Sequence, residues 1–241
     1  MSTDSTSFTS NLTRLDNIIA EMGGLAEVQL AEAIDAMVRR DRELADQVIL
    51  SDKRIDSHEA EVDDLAVGML AQRQASADDL RIVITALKTS AIIERIGDYA
   101  KNIAKRSIAM SQTPPIGPTK AIARMAGQVQ AMIKNVLDAY VARDADKADH
   151  VRASDSEVDL LHSSLFREIL TYMMEDPGNI SSCTHLLFVA KNIERIGDHA
   201  TNIAENVHFL VHGNVPSEQR VKGDDSSYAI VSANGANGAE P

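Results

Sequence analysis

The sequence predicts an all-α protein: two tandem, repeated three-helix bundles, six long helices in all. Three observations predict it. The six prolines stand at 114, 115, 118, 177, 216 and 241, so residues 1–113 contain none. A proline-free stretch that long, rich in Ala, Leu, Ile, Glu, Asp, Arg and Met, favours helix over sheet. Aromatic residues make up only 3% of the 241, with no Trp, which suits helices packed through aliphatic seams and excludes an all-β fold. Finally, the chain repeats itself. Ile93-Glu-Arg-Ile-Gly-Asp-Tyr-Ala-Lys-Asn-Ile-Ala104 matches Ile193-Glu-Arg-Ile-Gly-Asp-His-Ala-Thr-Asn-Ile-Ala204 at 10 of 12 positions, offset by 100. Residues 38–56 match 141–159 at an offset of 103, with Val38, Arg40, Asp41, Ala45, Asp46, Val48, Ser51, Asp52 and Asp56 recurring. Two blocks in the same order at nearly one offset imply a duplicated unit.

The elements follow in order. Residues 1–9 are rich in Ser and Thr and are expected to fray. From Leu12 to about Arg40, Leu15, Ile18, Ile19, Met22, Leu25, Leu30, Ile34 and Met37 recur at helical spacing. Gly23-Gly24 weakens that helix locally, but the same phase resumes beyond it. A second helix is expected from about Arg42 to Arg73. Ser76-Ala-Asp-Asp79 reads as an N-cap with acidic residues in the first turn, favourable against the helix dipole. The third helix then spans about 77–110, roughly 50 Å at 1.5 Å per residue. Ser111-Gln-Thr-Pro-Pro-Ile-Gly-Pro118 is a linker. Three more helices are expected at about 119–143, 145–175 and 180–212, the last two separated by Pro177-Gly178. The chain thus divides into a first bundle at 10–110, a linker at 111–118, a second bundle at 119–213 and a disordered tail at 214–241.

Lys plus Arg total 24 against 36 for Asp plus Glu, a formal charge of −12. Such a surface repels a phosphate backbone, so nucleic acid is not an expected partner; cations and basic protein faces are. The single Cys183 cannot form an intrachain disulfide, which suits a reducing cytoplasm. No basic segment followed by an apolar run opens the chain, and no window holds 18 consecutive apolar residues. Neither a signal peptide nor membrane insertion is therefore expected.

The chemistry-bearing residues form stripes. Ile93, Ile96, Ala100, Ile103 and Ala104 share one arc at 100° per residue and form the core seam. Glu94, Asp98 and Asn102 lie off that seam, toward the opposite side, and positions 194, 198 and 202 repeat them. One such stretch alone reads as a solvated face with a weak Arg95–Asp98 ion pair. Its recurrence does not follow from core packing, which accounts for the isoleucines and, through close helix approach, for Gly97 and Gly197. On the second helix Asp52, Asp56, Glu59 and Asp63 share a narrow arc, matched by Asp155, Asp159, His162 and Phe166. Carboxylates and imidazole at one-turn spacing suit Mg²⁺, Mn²⁺ or iron, and a bound cation removes their mutual repulsion.

An alternative is a carboxylate-bridged di-iron oxidoreductase, whose bundles need two Glu-x-x-His pairs aimed into a core. Glu205-Asn-Val-His208 and Asp159-Leu-Leu-His162 approximate the spacing, but the repeat partners of the first are Lys105 and Ile108. No nucleophile elbow, P-loop, dinucleotide fingerprint or cysteine pair is present. Cys183, His185, His199 and His212 read as ordinary packing or polar positions, so no catalytic set is expected.

The doubled Ile-Glu-Arg-Ile-Gly-Asp block resembles the signature of the PhoU family. So do Glu21-Met-Gly-Gly24, Arg73-Gln-Ala-Ser-Ala-Asp-Asp-Leu-Arg81 and Thr171-Tyr-Met-Met-Glu-Asp176; together they cover about residues 10–215. The resemblance implies two tandem three-helix bundles, an often dimeric protein, and metal sites at Glu94 and Asp98 in the first unit and Glu194 and Asp198 in the second. On the preceding helices it implies Glu59 with Asp63 and Asp155 with Asp159, although these pairs are not repeat-equivalent, and Asp56 fits as well as Glu59. It further implies a non-catalytic negative regulator of phosphate uptake and of the phosphate-starvation response. Its partners would be the ATPase subunit of the phosphate ABC transporter and the phosphate-responsive sensor histidine kinase.

Overall fold

A computed structural model describes residues 2–71 and 76–216, with side chains from residue 8 onward. Among these residues six helices form: α1 (Ser2–Arg39), α2 (Arg42–Leu70), α3 (Ala77–Met110), α4 (Thr119–Ala142), α5 (Ala145–Glu175) and α6 (Ile180–His212). A single 3₁₀ turn, Pro177–Asn179, precedes α6. Helix α1 takes in the Ser/Thr-rich start expected to fray, because extending a helix already nucleated by the periodic segment costs little per residue. The expected end of the second helix at 72–73 and most of the expected tail, 217–241, lie outside the described residues, as does part of the Arg73–Arg81 block. After Gly213, which takes a φ of 78° at the C-cap of α6, residues 214–216 are not helical.

The duplication extends to the way helices end. Arg40 and Arg143, repeat-equivalent, are the two non-glycine residues with positive φ among the described residues, at 59° and 55°. The left-handed residue turns the chain, and the following N–H closes back on the helix: Asp41 N to Ala36 O at 2.9 Å, Asp144 N to Ala139 O at 2.9 Å. The same aspartates then start the next helix, Asp41 Oδ1 accepting from Leu44 N at 3.0 Å and Asp144 Oδ1 from Lys147 N at 2.9 Å. Helix α3 begins with a complete capping box, in which Ser76 and Asp79 exchange side-chain to backbone hydrogen bonds.

Helices α1–α3 pack together as one bundle and α4–α6 as the other; the bundles join where α3 lies along α6 and α1 along α4. One continuous aliphatic core results, with Leu15, Ile19, Met22, Ile55, Ile93, Ile96, Ile122 and Met125 fully buried. Each such side chain contributes roughly 1.5–3 kcal/mol of burial. At the α3–α6 contact the repeat-equivalent Tyr99 and His199 stack, centroids 5.5 Å apart. At the α1–α4 contact Arg143 donates to both oxygens of Asp16, at 2.8 and 2.7 Å, and Tyr140 donates its hydroxyl to Asp16 Oδ1 at 3.2 Å.

The two glycines of the repeated block differ. A Cβ at Gly97 would come within 2.9 Å of Ile55 Cδ1 and 3.1 Å of Gln29 Oε1, so close approach accounts for that glycine. A Cβ at Gly197 would meet nothing nearer than 3.6 Å, so close approach does not account for the second, because Val129 and Val158 stand farther off there.

Two carboxylate clusters and their lysines

In the first bundle, α2 brings Asp52, Asp56 and Glu59 against Glu94 and Asp98 of α3. Each of the five contributes to the field on Glu94 or is the group that feels it. Asp52 is buried at 3% exposure and held from two sides. Gln29 Nε2, from α1, donates to Asp52 Oδ1 at 3.1 Å. Lys101 Nζ donates to Asp52 Oδ2 and, at 2.6 Å, to Asp98 Oδ1. Asp98 thus pairs forward with Lys101 instead of back with Arg95. Asp63 is exposed and sits at the outer end, where Glu59 feels its charge.

Desolvation, and then the neighbouring Asp98, Glu59, Asp56 and Asp52, push the Glu94 carboxyl up to about 7. Burial and flanking acids also raise Asp56 and Glu59. On Lys101, burial works against the ammonium, but its hydrogen bonds to Asp52 and Asp98 outweigh that and raise its pKa.

The second bundle carries the counterpart. Asp155, Asp159 and His162 on α5 are all buried, as is Glu194 on α6 at 4% exposure. Asp155 Oδ1 lies 3.6 Å from a Cβ built on Gly197, and Glu194 feels the charges of Asp198 and His162. Lys191 Nζ donates to Glu194 Oε1 at 2.9 Å, while the buried Glu194 Oε2 has no hydrogen-bond partner. Burial raises the Glu194 pKa, and Lys191 partly offsets this.

These positions correct the expectation of stripes turned away from the packing. Glu194, Asp155 and Asp159 are buried and Glu94 and Asp98 half-buried; of the repeated block, Arg95, Arg195 and Asn202 are exposed, so of its stripe positions only Asn202 stands out as expected. The cause is the placement of α3 and α6 at the centre, α3 touching α1, α2 and α6, and α6 touching α3, α4 and α5. The arc opposite one seam is therefore partly covered by another neighbour. Sequence reasoning missed Gln29, Lys101 and Lys191. The i, i+3 pairing of Lys101 with Asp98 and of Lys191 with Glu194 was a legible signal; the reach of Gln29 from α1 was not.

The remaining candidates are ordinary. Cys183 is fully buried, and desolvation pushes its thiol pKa up, away from thiolate reactivity. His185 Nδ1 lies 3.4 Å from Arg106 Nη1, and His212 packs on His208. Glu205 faces Arg152, with 3.9 Å between Oε1 and Nε, and His208 Nδ1 hydrogen-bonds to Asn214 O at 3.0 Å. The Glu205–His208 pair therefore does not join Asp159 and His162.

In kind, the donors fit a hard or borderline cation: carboxylates, one imidazole, and in Glu194 Oε2 a buried carboxyl oxygen with no donor. Among the described residues, however, no three His, Cys, Asp or Glu side chains are gathered tightly enough to hold a metal ion. Each cluster instead contains a lysine ammonium.

The raised carboxyl pKa values have a consequence for stability. Between about 4.5, the ordinary Glu value, and about 7, the folded chain keeps a proton on Glu94 that the unfolded chain has lost. Stability of the metal-free protein therefore falls as pH rises through that window, by on the order of 1 kcal/mol once solvent screening is counted. Urea denaturation in EDTA should show higher stability at pH 5.5 than at pH 8, and Glu94→Gln should flatten the difference. An unaltered pH dependence in the variant would place its source elsewhere.

Comparison with known proteins agrees with this architecture. The PhoU domain matches the chain twice, over residues 19–107 and 122–207, once in each bundle. The chain is 50% identical over 218 residues to a phosphate-specific transport system accessory protein PhoU homolog of Zymomonas mobilis, covering 90% of this chain and 92% of that protein. The crystal structure of PhoU from Pseudomonas aeruginosa superposes with a TM-score of 0.83 at 39% identity, covering 86% of this chain and all of that one. That of the phosphate transport system regulatory protein PhoU from Streptococcus pneumoniae gives 0.80 at 25% identity, covering 88% of this chain and all of that one. With both bundles matched and the relatives covered nearly end to end, the chain belongs to the PhoU family.

Proposed function

We propose that this chain is an accessory protein of phosphate transport that acts without catalysis, restraining phosphate uptake and the phosphate-starvation response. It works in the cytoplasm as a homodimer, linking the ATPase subunit of the phosphate ABC transporter to the phosphate-responsive sensor histidine kinase. The observation that carries this reading is the doubled PhoU domain, matched in relatives named for phosphate-specific transport and, in one case, for its regulation. The physical features agree with an adaptor. Long helices present rigid faces, a charge of −12 favours basic partner surfaces, and no helix of the described residues is long and apolar enough to cross a membrane.

The reading includes a divalent cation, Mg²⁺, Mn²⁺ or iron, in each cluster. Their side chains would have to draw together to do so: Glu94 and Asp98, with Glu59 and Asp63 alongside, around one ion, and Glu194 and Asp198, with Asp155 and Asp159, around the other. When bound, the ion supplies the positive charge that offsets carboxylate repulsion and stiffens the joined helices. The chain's own part is to hold α2 against α3 and α5 against α6 with acids along both seams, so that loading alters the outer surfaces partners meet.

The test is alkaline phosphatase under phosphate control, measured in a deletion strain that lacks any second copy and is grown in abundant phosphate. High constitutive phosphatase, repressed again by the wild-type gene, is the expected result. Full repression in the deletion strain would overturn the regulatory role.

A further inference from the structure

Both clusters contain a lysine, yet the two lysines do not descend from one ancestral position. Lys101 stands on α3 three residues after Asp98; its repeat-equivalent is Thr201, whose hydroxyl donates to Asp198 O at 2.7 Å. Lys191 stands on α6 three residues before Glu194; its repeat-equivalent is Ala91. Duplication alone would have put the cation at the same place twice. Instead an ammonium reaches each cluster from a different turn of the helix, once from the C-terminal side and once from the N-terminal side. The acids recur by descent, and a positive charge among them recurs without it.

The position of the charge matters as much as its presence. Lys101 Nζ bridges two helices, bonding Asp52 of α2 and Asp98 of α3, as a metal ion shared between them would. Lys191 Nζ takes one oxygen of Glu194, a side chain otherwise sealed at 4% exposure. An ammonium offers three donors on a flexible four-carbon stem, so it can occupy a carboxylate cluster and swing out of it.

We infer that Lys101 and Lys191 are tethered counter-cations, each neutralising in the metal-free protein the acids it bonds, so that a metal ion taking up Asp98 or Glu194 must displace the ammonium. This rests on the metal reading proposed above. Loading then exchanges a bond from the chain for a bond to the ion, and releases a lysine toward the bundle surface. The displaced ammonium changes the charge of the face beside each cluster, which gives metal loading a readable effect on surfaces that meet a partner.

The experiment is titration of the EDTA-stripped full chain with MnCl₂ by isothermal calorimetry, for wild type, Lys101→Met, Lys191→Met and the charge-keeping Lys101→Arg. Removing a hydrogen-bonded competitor is expected to tighten Mn²⁺ binding by about tenfold at one site in each Met variant, and Lys101→Arg is expected to stay near wild type. Thermal melting gives a second readout. Each Met variant should melt lower than wild type in EDTA and recover, or exceed it, with Mn²⁺. Should Lys101→Met fold poorly without metal, recovery with Mn²⁺ supports the inference and failure to recover overturns it; Lys191→Met tests it independently in the other bundle. Wild-type binding of Mn²⁺ with unchanged or weaker binding in both Met variants overturns the counter-cation role and leaves the metal reading standing. No Mn²⁺ binding by any of the four proteins overturns both.

Discussion

The full chain with Glu94, Asp98, Glu194 and Asp198 all replaced by Ala is expected to lose Mn²⁺ affinity by about a hundredfold or more, since each cluster forfeits both acids of its central helix. Helix content should persist, because none of the four supplies the aliphatic core. Metal-free stability should change little overall. Relief of like-charge repulsion around Glu94 opposes the loss of packing at the buried Glu194 and the unpairing of Lys191. A companion variant with Gln and Asn at the same positions keeps the volume and removes only the charge. If the loaded clusters shape the docking surfaces, affinity for the ATPase subunit and for the kinase should fall in parallel with metal content. A quadruple variant devoid of metal that still binds both partners with wild-type affinity would disprove that link.

Asp16→Ala is expected to cost about 2 kcal/mol in chemical denaturation and to lower Tm by roughly 4–8 °C. The residue is only half-buried, so exposure alone suggests a mild effect. Its partners decide otherwise: the Asp16 carboxylate receives two bonds from the half-buried Arg143 and one from Tyr140, whose ring is fully buried. Removing the acceptor leaves a guanidinium and a phenol hydroxyl without their shared partner between the bundles. Arg143→Ala should cost about as much alone, and the double variant clearly less than the sum, because both single changes break the same contact. Strict additivity would show that the α1–α4 junction does not depend on this contact. Arg40, the repeat-equivalent of Arg143, donates instead to the carbonyls of Ser111 and Thr113 in the linker. Duplication thus preserved the left-handed arginine and gave it two different anchors.

Much of this architecture was readable from residue order. The helix limits at 77–110, 145–175 and 180–212 agree with those expected from periodicity, because Ser76, Asp144 and Pro177-Gly178 are local signals that act on their own backbone. The left-handed turn at Arg143 was not foreseen, since arginine carries no turn signature; it is set by closure of the preceding helix. The acids at 94, 98, 194 and 198 stood out because they repeat, yet their burial was misjudged, since a helical wheel displays one seam and not a second neighbour.

The sequence by itself determined the six helices, their duplication and which side chains carry charge along each one, because these depend on interactions spanning a few residues or on comparing the chain with itself. Only the tertiary structure decided that α3 and α6 run through the centre, that Gln29 reaches Asp52, and that Lys101 and Lys191 sit among the acids. Those outcomes depend on which helix lies against which, and that is chosen by packing between segments tens of residues apart, where spacing along one helix carries no information.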